Sequence, residues 1–306
     1  MKKKELTKDQ QIKKLKKDNI RFQIEIVIIF LLFLALFLFN YNYTIFKILI
    51  AGNYTDTQAL DAIYEDTMEL DTSPYYKNFD NAVISLFIDR IHEENNDRYT
   101  MIFNKGELAT EQSLMSEDAE KTHFQMVNDN TGCLSITAFS KPTLKKFKES
   151  LNEIKGCNNL IIDLRNNGGG MLKSADTLAE YFLPEGSIIA KYNYRSRLLS
   201  SVSVSDNSSP LEFEHIYILQ NQDTASAAEV FINALKENLD NVTLIGTTSY
   251  GKGIGQTEMR LLNGFGIKAT TMNILTPDDN SIHNTGIKPD ITPENDELEY
   301  VLELVN

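Results

Sequence analysis

The chain has 306 residues, 42% of them hydrophobic and 24% charged, with 15 Gly, 7 Pro and 2 Cys. That is long enough for one large domain or two modest ones with a buried core, and it excludes a collagenous, mucin-like or wholly disordered chain. Two cysteines exclude a disulfide-dense scaffold and a four-cysteine zinc site, and a net charge of −13 argues against a nucleic-acid partner, which needs a basic surface.

The charge is unevenly placed. Residues 1–21 carry nine Lys and Arg against three Asp and Glu, a net +6, so the remaining chain carries −19. Then comes FQIEIVIIFLLFLALFLF, residues 22–39, in which only Gln23 and Glu25 are polar. At ~1.5 Å per residue these positions reach about 27 Å, enough to cross a thin hydrocarbon layer. The expectation is an uncleaved signal-anchor over residues 22–40. A cleavable signal peptide fits less well, because bulky Asn40-Tyr41-Asn42-Tyr43 follows instead of a small-residue site. The positive-inside rule puts residues 1–21 in the cytoplasm and the rest on the outer side, with membrane as a partner through the helix.

Residues 41–125 read as a mostly helical N-terminal region, with apolar positions in LDAIYEDTMEL and FDNAVISLFIDRI recurring at three and four. From His123 the texture changes, and residues 126–306 form the second expected unit. HFQMV and CLSITAF flank an Asn/Asp/Gly turn as two strands. KPTLKKFKESLNEI is an amphipathic helix, NLIIDL a buried strand and SADTLAEYFL a helix. HIYILQ, SAAEVFINALKEN and VTLIG continue as strand, helix, strand. Alternating strands and helices, with strands too apolar to have a wet face, predict an α/β layered fold.

Three loops follow strand ends, where α/β folds place their sites. Arg165-Asn166-Asn167-Gly168-Gly169-Gly170 offers bare backbone N–H groups to an anion or a developing oxyanion, although alone it is equally a turn. Asp223-Thr224-Ala225-Ser226-Ala227-Ala228-Glu229 enters a helix at a serine. On this stretch alone Ser226 reads as an N-cap, with Glu229 completing a capping box, and a nucleophile reading needs a base. Tyr250-Gly251-Lys252-Gly253-Ile254-Gly255-Gln256 can supply one. A lysine between glycines can be aimed inward, and burial lowers its pKa from ~10.4 towards neutrality. Gln256 could hold the amine. His92, His123, His215 and His283 have no nucleophile-like context and no metal-ligand spacing, so neither metal nor cofactor is expected.

Taken together, LIIDLRNNGGG (160–170), TASAAEVF (224–231), GTTSYGKGIGQ (246–256), IKATTMNILTPDDNSI (267–282) and TGIKPDI (285–291) resemble the C-terminal processing, or tail-specific, serine peptidase family in order and spacing. The resemblance covers about residues 125–306. It implies a crotonase-like α/β peptidase domain, hydrolysis of protein or peptide substrates, and a Ser226/Lys252 dyad with Gln256 orienting the lysine. Gly169 and Ala227 map onto its oxyanion donors. Gly168 stands where the family usually has proline. Only about 23 residues separate NDRYTMIFNKGE (96–107) from TGCLSITAF (131–139), too few for the PDZ domain that the family carries there. A catalytically weak, partner-binding relative is the alternative from another class, while acyl-CoA chemistry conflicts with an outward-facing domain.

Cys133 opens one expected strand and Cys157 precedes the next, with one crossover helix between. If those strands are parallel neighbours ~4.8 Å apart, the two cysteines share a sheet edge and a disulfide is within reach.

Overall fold

The computed structural model describes residues 97–104, 106–194, 197–261 and 265–305, together with parts of 20–34 and 88–93. Residues 26–32 of the apolar run are helical with exposed side chains; among the described residues no helix is long and apolar enough to cross a membrane. The span expected over 22–40 lies partly outside the described residues, and the basic arm and the expected helical region lie mostly outside them.

Two sheets organise the rest. The central one has the order β2-β3-β4-β7-β8, built from His123–Met126, Thr131–Ser135, Asn159–Asp163, His215–Gln220 and Val242–Gly246. Its last four strands are parallel and the first is antiparallel to β3. Parallel neighbours need crossover connections, and the amphipathic segments supply them. Helices α2 (Lys141–Glu149) and α3 (Leu151–Ile154) lie between β3 and β4, and α4 (Leu172–Glu180) follows β4. Helix α5 (Ala227–Asn238) joins β7 to β8. The single helix expected over 141–154 is broken at Ser150.

The second sheet is antiparallel. Strand β10 (Gly266–Leu275) pairs with β9 (Ile254–Arg260) along one edge and with β1 (Met101–Phe103) and β5 (Ile188–Tyr194) along the other. Strand β5 in turn pairs with β6 (Ser201–Val204). Between β1 and β3 the described chain holds helix α1 (Glu107–Glu120) and β2. Strand β1 departs from the helical texture expected up to residue 125.

The central strands are apolar throughout because both of their faces are covered. Leu160, Ile162, Ile216 and Ile218 pack with Phe147, Leu178 and Phe231 from the helices and with Phe182 just past α4. The alternate residues Ile161, Leu219 and Ile245 face Val301 of α6 (Glu297–Val305). Arg165 clamps that last helix, pairing with Asp163, Asp296 and Glu297 at 2.8–3.0 Å.

This two-sidedness separates the cysteines, both of which are free. Strands β3 and β4 are parallel neighbours, as required, but Cys133 packs on the α6 face with Ile161. Cys157 Sγ sits on the opposite face, where a Cβ built on Gly132 would meet Phe124 and that sulfur. Sharing an edge was necessary for a disulfide but not sufficient, because the sheet lies between the thiols.

Candidate active site

The carboxyl ends of β4, β7 and β8 release three successive loops, and they are bonded to one another. Ala225 N–H donates to Asn167 O (2.9 Å), Tyr250 N–H to Thr224 O (2.9 Å) and Thr224 Oγ1 to Leu164 O (2.8 Å). All three loops open onto a cleft of about 770 Å3 whose walls include Gly168, Gly170, Ser226, Lys252 and Gln256.

Ser226 precedes α5 with φ 57° and ψ −116°, a left-handed φ that a non-glycine residue adopts only under constraint. The constraint is Glu229, a fully buried carboxylate one turn into the helix. Its Oε2 accepts from Ser226 N–H (2.8 Å) and Lys252 N–H (2.9 Å), and its Oε1 from Gly251 N–H (2.7 Å) and Ser249 Oγ. Four donors satisfy a carboxylate that burial would otherwise penalise. One side chain thereby fixes the serine turn and the lysine loop together. Sequence reasoning found Glu229 only as a capping partner; its reach to residues 249–252 depends on the β7–β8 pairing and has no local signature.

Lys252 Nζ donates to Gln256 Oε1 (2.8 Å), and Gln256, on β9, is itself oriented because its Nε2 donates to Tyr99 O (2.6 Å). The ammonium also lies 5.0 Å from the Tyr99 ring centroid. Burial pulls the Lys252 pKa down to about 8, and the positive charge of Lys268 adds to this, against the carboxylates of Glu111, Asp97 and Glu229. An amine in that range is a competent proton acceptor near neutral pH. Tyr99 comes from the N-terminal stretch, 157 residues from Gln256 in sequence, where the chain itself carried no sign of a site.

Gly169 packs directly on the serine turn. A Cβ there would lie 2.7 Å from Ala225 O and 2.8 Å from Ser226 Cβ, and φ is +103°, so only glycine fits. Its N–H donates to Asn167 Oδ1 (2.9 Å) and thus faces its own loop, while Gly168 and Gly170 line the cleft. Ala227 opens α5, where first-turn amides have no intrahelical acceptor. Among the described residues no hydrogen bond joins Ser226 to Lys252, and no three His, Cys, Asp or Glu side chains are grouped to hold a metal.

Helix α1 forms the far wall through Glu111, Gln112, Met115 and Ser116. It is strapped to the second sheet by Lys268, which pairs with Glu111 (2.8 Å) and Glu258 (3.2 Å), and by Gln112 Nε2 donating to Glu258 (2.8 Å).

Residues 130–292, more than half of the chain, match peptidase family S41. The chain belongs to that family. It is similar to the carboxy-terminal processing protease CtpA of Bacillus subtilis, 34% identical over 177 residues, covering 57% of this chain and 37% of that protein. It is also similar to a protein of Staphylococcus aureus named probable CtpA-like serine protease, 29% identical over 222 residues, 71% of this chain and 44% of that one. The chain thus spans about two fifths of the length of these relatives. Among solved structures, a lipoprotein from Streptococcus agalactiae shares the fold, with a TM-score of 0.62 at 19% identity over 87% of this chain and 95% of that one.

Proposed function

We propose that this chain is a serine endopeptidase, held in the membrane by residues 22–40 with its catalytic domain outside the cytoplasm. The observation that carries the activity is one carboxylate, Glu229, bonded to the backbone of both Ser226 and Lys252, which open onto one cleft.

In this reading neutral Lys252 takes the Ser226 hydroxyl proton as Oγ attacks the peptide carbonyl carbon. The tetrahedral oxyanion is stabilised by the Ala227 N–H and by the Gly169 N–H once the latter leaves Asn167 Oδ1. Collapse breaks the C–N bond, the Lys252 ammonium protonates the departing amine, and water then hydrolyses the acyl-enzyme with the lysine again as base. Gln256 keeps the amine directed through its bond to Tyr99 O. The occupied Gly169 N–H is the observation favouring the second reading, a binder with little turnover.

The anchor rests on the apolar run after nine cations, and the outward orientation on the +6 before it. Incubating the full chain and its Ser226→Ala variant with an unfolded protein substrate tests the activity. The proposal expects fragments from the parent alone; identical digests, or none from either, would overturn it.

A further inference from the structure

Gln256 can direct the Lys252 amine only while its own side chain is held in place. The Tyr99 carbonyl accepts from Gln256 Nε2 (2.6 Å), and Thr270 is the residue directly across from Gln256 in the β9–β10 ladder. That ladder is not regular here. Its register shifts between Thr270 and Met272, and a bulge re-aims the side chains beside it. Something other than strand pairing must therefore fix the carbonyl and the strand partner relative to each other.

Both lead to one carboxylate. Asp97, 8% exposed, accepts at Oδ1 from the Tyr99 N–H (2.9 Å), the Thr100 N–H (3.3 Å) and the Thr270 hydroxyl (3.1 Å), and at Oδ2 from the Thr100 hydroxyl (2.6 Å). The fully buried Thr100 hydroxyl accepts in turn from the Thr270 N–H (3.0 Å). Strand β1 begins at Met101, opposite Lys268, so side-chain bonds take over where the β1–β10 ladder ends. Hydrogen bonds to a buried charge are shorter and stronger than neutral ones, which makes this a stiff joint.

The end of a sheet could be closed by neutral groups; a full charge beside the base has a further effect. Burial and Lys268 on β10 lower the Lys252 pKa, and Glu111 on α1, Asp97 and Glu229 on α5 oppose them. The Tyr99 ring also faces the amine, and burial holds His283, 6.1 Å from that ring between centroids, below its ordinary pKa and so neutral near pH 8.

We infer that Asp97 is a positioning residue for the proposed base: through Tyr99, Thr100 and Thr270 it fixes the Gln256 side chain in the orientation that holds Lys252 Nζ. The inference rests on the serine–lysine reading and adds to it a residue that touches neither Ser226 nor substrate.

The test measures the rate at which a fluorophosphonate labels Ser226 in the full chain between pH 6 and 10. Asp97→Asn sets an NH2 group against converging donors and removes the charge, whereas Thr100→Val breaks the link to Thr270 and keeps the charge. Each is expected to lower the plateau rate about tenfold or more, and by less than about twofold when Gln256 is already Ala, because residues acting through one another are not additive. Asp97→Asn is also expected to move the midpoint of the profile to lower pH, since the lost charge favoured the ammonium, while Thr100→Val leaves the midpoint in place. Circular dichroism and melting establish that each variant is folded. Plateau rates within twofold of the parent in the folded variants, the same fold-loss with and without Gln256, or a midpoint unmoved in Asp97→Asn would overturn the inference. A parent that shows this whole pattern yet cleaves no peptide defeats the peptidase reading and leaves the positioning role standing, whereas a parent not labelled at Ser226 defeats both.

Discussion

Replacing Lys252 by Met keeps the aliphatic stem and removes the charge, and it is expected to abolish hydrolysis while stabilising the protein. The fall of the lysine pKa from 10.5 to about 8 corresponds to about 3 kcal/mol held against the ammonium form in the fold. Met also leaves Gln256 Oε1 without its donor, costing about 1–2 kcal/mol. The net gain at pH 7 is then about 1–2 kcal/mol, or some 2–8 °C in melting temperature for a domain of this size. The sign follows from linkage. Below pH 8 the lysine is protonated in both states and the folded protein bears the whole penalty. Between 8 and 10.5 the unfolded chain holds more protons, so parent stability rises with pH and the advantage of Met disappears. Urea unfolding of parent and variant at pH 7 and pH 10 measures this. A variant less stable than the parent at pH 7, by a margin indifferent to pH, would refute the burial argument.

Glu229→Gln puts an amide where four donors converge, and is expected to cost about 3 kcal/mol or more and to lower kcat at least ~100-fold, since both the serine and lysine loops lose their common anchor. Urea unfolding and peptide kinetics check it. Gly170→Ala would place a Cβ 2.2 Å from Phe139 O at φ +133°, whereas nothing lies within 4 Å of a Cβ at Gly168. The first is expected to destabilise by several kcal/mol and the second by less than ~1 kcal/mol, measured by thermal melting. Thiol titration of the unreduced, denatured chain is expected to find two free thiols, Cys133 and Cys157.

The central strands and their crossover helices were legible because each strand is buried on both faces and each helix on one, so periodicity and burial coincide. The loops of Ser226 and Lys252 were legible because glycine and helix-start chemistry cluster at strand ends. Other elements were not. Strand β6, SVSV, is an edge strand with mostly exposed residues, and β9, IGQTEMR, has too few apolar positions to declare itself. Tyr99 and α1 reach the site, and α1 reaches Lys268, through pairing of β1 with β10, between residues more than a hundred apart in sequence. The cysteines show the converse error. Strand adjacency was readable, but the alternation that turns neighbouring side chains to opposite faces decided the outcome.

The pH-dependent reaction of a fluorophosphonate with the full chain tests the serine–lysine account most directly, with the modified residue located by mass spectrometry. The account predicts labelling at Ser226 alone, at a rate rising through about pH 8 and reaching a plateau above it, and lost in Lys252→Ala. Labelling at another residue, or a Ser226 rate that keeps its pH profile without Lys252, would contradict it.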